Sequence, residues 1–82
     1  MPQISERLRE FVTANFYVPP EIQLTDTTSF LDGGIIDSTG VLELATFLES
    51  CFGIAVTDQE LVPGNFDSLA ALAAFVERKV RP

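Results

Sequence analysis

The chain has 82 residues, 46% of them apolar, with 12 acidic against 5 basic side chains, one Cys and no His. That length allows one domain, 1–82, with a modest core, and the apolar content is too high for a disordered chain. With a single Cys and no His, the inventory excludes the common zinc sites, any Ser-His-Asp or Cys-His apparatus and an internal disulfide, while the net charge of −7 disfavours nucleic acid as a partner.

The first predicted helix covers Gln3 to Asn15. Ile4, Leu8, Phe11 and Val12 form one apolar stripe, and Glu6, Arg7, Arg9 and Glu10 take the wet side. A long connection follows, from Phe16 to Ile36. Pro19 and Pro20 forbid helix at its start. Thr25, Asp26, Thr27, Thr28, Asp32, Gly33 and Gly34 are turn and cap formers. Ile22, Leu24, Phe30, Leu31 and Ile35 are apolar enough to pin the loop against the core.

The second helix has the clearest start. Asp37 suits the N-cap, where a carboxylate accepts orphan N–H groups of the first turn. Ile36 and Val41 match the hydrophobic staple. Val41, Leu44, Ala45, Leu48 and Phe52 continue the stripe, and Gly53 fits the left-handed position that closes a helix. Cys51, near the end of this helix, reads as a small core residue. Ile54, Ala55 and Val56 form a short extended linker. Thr57 and Glu60 have the spacing of a capping box, which predicts a short third helix stopped by Pro63 and Gly64. Asp67 is the expected cap of the fourth helix, with Leu69, Leu72, Ala73, Phe75 and Val76 inward and Arg78 and Lys79 in the last turn. No strand pattern competes, so the expected fold is all-α, a small four-helix bundle with a long loop between helices 1 and 2 and a short third helix.

Charge is unevenly spread. All five basic residues lie near the ends, at Arg7, Arg9, Arg78, Lys79 and Arg81, and nine acids without a base run from Glu21 to Asp67. A partner bearing a Lys/Arg patch would be steered to the acidic middle. No apolar run approaches the ~20 residues of a membrane span, and no signal peptide is visible. The expected location is cytoplasmic.

Ser38 opens the second helix at the end of a long loop with glycines just before it. No base accompanies it, so it is placed to be modified and not to act as a nucleophile alone. A phosphodiester there would face the positive end of the helix dipole. On these grounds a plain helix-start serine and a functional one both remain open.

The segment Gly34-Ile35-Ile36-Asp37-Ser38 resembles the attachment site of acyl and peptidyl carrier proteins, whose usual pattern is Gly-x-Asp-Ser-Leu. Glu43-Leu44, Leu48-Glu49, Phe52-Gly53-Ile54, Phe30-Leu31 and Phe75-Val76 extend the resemblance over nearly the whole chain. It implies a four-helix carrier that is not an enzyme. A phosphopantetheinyl transferase would move 4′-phosphopantetheine from coenzyme A onto Ser38, beside Asp37, and the arm would hold an acyl or aminoacyl group as a thioester. Thr39 stands where the family usually has Leu, a position that commonly touches partners. Thr39, Leu42, Glu43, Thr46, Phe47 and Glu49 form the expected partner face. Gly40 weakens the first turn by ~1 kcal/mol relative to Ala, either to admit a partner closely or without consequence.

Gly64-Asn65-Phe66-Asp67-Ser68-Leu69 repeats the Gly-x-x-Asp-Ser spacing. Only one helix follows it, so Asp67-Ser68 reads as a capping pair. The second helix is less acidic than in fatty-acid carriers. That favours a carrier of secondary metabolism, of polyketide or nonribosomal-peptide type, loaded by an acyl- or amino-acid-activating ligase and used by tailoring or condensing enzymes; the lack of flanking domains adds the expectation of a discrete carrier, and a monomer is expected. A fatty-acid-synthesis carrier is the alternative, and an unmodified acidic helical adaptor is the rival of another class.

Overall fold

In the computed structural model, which describes residues 2–80, the chain forms α1 (Pro2–Asn15), α2 (Ser38–Phe52), a 3-10 turn (Asp58–Glu60), α3 (Pro63–Phe66) and α4 (Leu69–Val80). There is no strand among the described residues. Arg81, one of the predicted basic tail residues, lies outside them.

The α-helices bury the expected stripes. Ile4, Leu8 and Val12 of α1, Leu44, Ala45 and Leu48 of α2, and Leu69, Leu72, Ala73, Phe75 and Val76 of α4 meet in one core with Phe30, Ile35, Ile36 and Phe66. α4 packs against α1, α2 and α3. Gly53 takes φ +68°, and its N–H reaches the Glu49 carbonyl at 3.1 Å, which ends α2 as the sequence suggested.

The long loop is fastened along its length. Arg9 of α1 donates to the Leu24 carbonyl and pairs with Asp26 at 3.1 Å. The Ala70 N–H of α4 donates to the Asp26 carbonyl at 2.8 Å. The Phe30 ring is completely buried, and the Phe30 carbonyl accepts the N–H groups of Ile35 and Ile36. These bonds bring the chain to the start of α2.

Five local expectations are corrected. Pro63 starts a helix and does not end one: the capping-box segment forms only the 3-10 turn, and Pro63 occupies the first turn of α3, where a missing N–H costs nothing. Ser68, not Asp67, caps α4, accepting the Ala71 N–H at 3.1 Å; Asp67 is drawn into the loop instead. Leu31 is 43% exposed and does not pin the loop. Cys51 is half-buried at the rim beside Arg7, because the inward stripe of α2 ends at Leu48.

Gly40 is the fifth. Its role is internal: a Cβ there would lie 2.7 Å from Ile36 Cγ2 and 2.9 Å from Phe16 Cε1. The backbone of the first turn of α2 therefore rests directly on the loop. Helix propensity alone predicts a gain of ~1 kcal/mol for Gly40→Ala. Overpacking against a β-branched carbon and a ring edge outweighs it, for a net loss of about 1–3 kcal/mol. Urea unfolding of the variant should show a lower midpoint than the parent; a raised midpoint would contradict the contact.

Candidate functional site

Asp37 has extended backbone geometry, and its Oδ1 accepts the Gly40 N–H at 2.8 Å while its carbonyl accepts the Val41 N–H at 3.1 Å. The N–H groups of Ser38 and Thr39 are left without a helical carbonyl, as at any helix start. Ser38 is the first residue of α2. Its side chain is exposed, and among the described residues none hydrogen-bonds its hydroxyl. An oxygen so placed can be esterified without breaking an existing contact. A phosphoryl group on it would meet unsatisfied backbone donors and the positive end of a 15-residue helix. A phosphopantetheine ester would fit this donor set, and Ser38 is the residue that would hold it.

Beside Ser38 lies a groove of about 380 Å³. One wall is α2, through Val41 and Leu42. A second is the loop, through Phe30, Leu31 and Ile36. The third is the segment before α4, through Leu61, Val62, Pro63 and Phe66, with Asp67 at its end. Apart from Ser38 and Asp67 the lining is apolar. Leu42, Val62 and Leu31 are 56%, 44% and 43% exposed at its rim.

The predicted partner-face residues divide among separate surfaces. Leu42 joins Ser38 at the groove. Thr39 and Glu43 lie with Asp37 and Gly40 on an adjoining depression next to Phe16 and Gly34. Thr46 is exposed and donates its hydroxyl to the Leu42 carbonyl. Phe47 is half-buried, stacked on Phe11 of α1 with ring centroids 4.0 Å apart, and edge-on to Phe52. Glu49 accepts the Val56 N–H at 2.9 Å and so holds the linker. Sequence reasoning missed the third wall and the exposure of Leu31. Alternation and spacing carry no signal for which apolar residues a bundle leaves uncovered.

The third wall is braced from α4. Lys79 Nζ lies 2.9 Å and 3.0 Å from the two Glu60 carboxylate oxygens. Arg78 donates to Asn65 Oδ1, and Asn65 Nδ2 donates to the Glu60 carbonyl. Among the described residues no group of His, Cys, Asp or Glu is arranged to hold a metal ion, and no helix is long and apolar enough to cross a membrane.

Over residues 6–76 the chain matches the model of the family described as phosphopantetheine attachment site. No curated protein sequence matches it.

The Thr57 N–H, and after it the Lys79 ammonium, hold the Glu60 carboxyl below its ordinary value of 4.5. The folded state thus favours the charged form. The stabilisation is complete above the ordinary carboxylate range and is lost as pH falls through the lowered value. Melting curves of the parent and Glu60→Gln should therefore lie furthest apart above the ordinary carboxylate range and converge as pH falls through the lowered value. A gap that stays constant across that range would contradict the brace.

Proposed function

Because the chain belongs to the phosphopantetheine-attachment family, we propose that Ser38 is the residue that receives the prosthetic group and that the protein carries an acyl or aminoacyl cargo between enzymes. The observation that carries this reading is the exposed Ser38 hydroxyl at the start of α2, without a hydrogen-bond partner among the described residues and beside an apolar groove. The second Asp-Ser pair is less suited: Ser68 is half-buried and its oxygen already serves the Ala71 N–H.

Family membership makes the chain a phosphopantetheine-bearing carrier domain, which is not a catalytic one. It acts with a phosphopantetheinyl transferase and with the enzymes that load and unload it. In the transfer, Ser38 Oγ would bond the phosphorus of the pantetheine half of coenzyme A in place of the adenosine bisphosphate half, which would leave as the hydroxyl proton is lost. The bound arm supplies a terminal thiol that holds the cargo as a thioester.

The finer reading is a carrier of secondary metabolism, loaded by an adenylating ligase. Its support is the sparse acidity of α2, which carries only Glu43 and Glu49, together with the exposed Leu42 at the groove. Thr39, Leu42, Glu43 and Thr46 are the proposed partner contacts, being exposed on α2. Phe47 and Glu49 also belong to the proposed set, although each has an internal contact. The fatty-acid alternative separates by loading: the holo chain should accept acid from a ligase with ATP, and not malonyl from malonyl-coenzyme A and its transferase.

Incubation with coenzyme A and a broad-range transferase, read by intact-mass spectrometry, tests the attachment point. The parent and Ser68→Ala should each gain one phosphopantetheine, and Ser38→Ala should stay at the apo mass. A gain on Ser38→Ala removes Ser38 from the assignment. No gain on the parent leaves the acidic adaptor as the better reading.

A further inference from the structure

Asp67 repeats the sequence setting of Asp37, but its carboxylate does not cap the start of α4, a task that falls to Ser68. Its carboxylate turns to the long loop: Oδ2 accepts the Ser29 hydroxyl at 2.6 Å, and Oδ1 accepts the Leu31 N–H at 2.9 Å. Its main-chain carbonyl accepts the Phe30 N–H at 2.8 Å. One residue at the junction of α3 and α4 therefore holds three successive loop residues.

The connection continues to Ser38. The Ser29 oxygen, oriented by its bond to Asp67, accepts the Asp32 N–H at 3.1 Å, and the Ser29 carbonyl accepts the Gly33 N–H at 3.0 Å. The Phe30 carbonyl accepts the Ile35 N–H at 2.9 Å and the Ile36 N–H at 3.4 Å. Ile36 is buried and lies two residues before Ser38. Asp67 also lines the Ser38 groove.

We propose that Asp67 is a positioning residue for the modification of Ser38: it latches the turn 29–34 to the α3–α4 junction, so that the loop and the start of α2 are presented to the transferase in one arrangement. This rests on the reading of Ser38 as the attachment point. The latch is separate from the core. The Phe30 ring stays buried, and the Asp26–Ala70 bond and the Arg9–Asp26 pair do not involve Asp67. Without the carboxylate, Ser29 and Leu31 lose their partner, and the exposed part of the turn, from Leu31 to Gly34, spreads over several conformers. An enzyme that reads loop and helix together binds only the latched fraction, and apparent affinity falls by that fraction. The chemistry on bound carrier is unchanged, so the effect falls on KM and spares kcat.

Steady-state transfer from coenzyme A, with the apo chain as the varied substrate, tests this. Asp67→Ala should raise KM about tenfold with kcat within about twofold. Asp67→Asn keeps a carbonyl oxygen for one of the two donors and should recover part of the loss. Ser29→Ala removes the 2.6 Å bond to Asp67 and the Asp32 N–H bond but leaves the Leu31 N–H on Asp67, and should raise KM about threefold, a milder arm should Asp67→Ala fail to fold. Ser68→Ala takes the cap from α4 without touching the latch, so it should lower the melting temperature and leave KM unchanged. Amide exchange should show the Leu31 N–H losing protection in Asp67→Ala while those of Leu44 and Leu72 keep theirs. An unchanged KM in both Asp67→Ala and Ser29→Ala, or an equal rise in Ser68→Ala, overturns the latch. A parent that takes no group at Ser38 overturns the attachment reading instead; amide exchange then decides the latch alone, and unchanged protection at Leu31 overturns it.

Discussion

The long loop must be fastened at Phe30, and the rest of the structure depends on how that is done. A loop of this length carries many backbone polar groups that need partners, and few apolar side chains to hold it down. Phe30 meets both needs. Its ring is fully buried among the helices, its N–H donates to the Asp67 carbonyl, and its own carbonyl accepts from Ile35 and Ile36. The chain is then committed to bury Ile35 and Ile36, and it emerges at Asp37 with extended geometry, ready to cap α2. The close rest of Gly40 on Ile36 and Phe16 fixes the same junction from the helix side. The exposure of Ser38 follows from these contacts and from no interaction of its own.

Three of the cations brace one part of the chain against another. Arg9 holds the loop to α1 through Asp26 and the Leu24 carbonyl, Lys79 holds Glu60, and Arg78 holds Asn65. The acids nearest Ser38 are Asp67 at its groove and Asp37 and Glu43 on the adjoining depression. Those carboxylates, on a chain of net charge −7, form a field that favours the approach of a cationic surface. At the same place the rim offers Leu31, Leu42 and Val62. Charge suits the encounter there and apolar contact suits the close fit, the usual division at a protein interface.

On the far side of α2 the aromatic residues have a different task. Phe16, Phe11, Phe47 and Phe52 form a chain of ring contacts at 6.0, 4.0 and 6.2 Å, running from the loop start across α1 to the end of α2. Such pairs add about 0.5–1.5 kcal/mol each beyond the area they bury. They tie α1 to α2, and they account for Phe47 being half-buried although it lies off the main stripe.

The sequence by itself determined the helices that bury a periodic stripe, the Asp37 cap, the Gly53 stop and the place of Ser38 at the start of α2. These rest on interactions within a few residues, which local chemistry specifies. Only the tertiary structure decided that Pro63 begins a helix, that Ser68 and not Asp67 caps α4, that Leu31 faces outward, and that Gly40 is required by Ile36 and Phe16. Apart from Pro63, whose place in a first turn is a local matter, each of these depends on what another part of the chain brings alongside. Asp67 and Ser68 are equally good caps by composition, and the choice between them came from Ser29 and Leu31, far away in the chain but within 3 Å in space. The groove shows the same limit: its three walls come from three segments, and no spacing within one of them announces that the others will meet it.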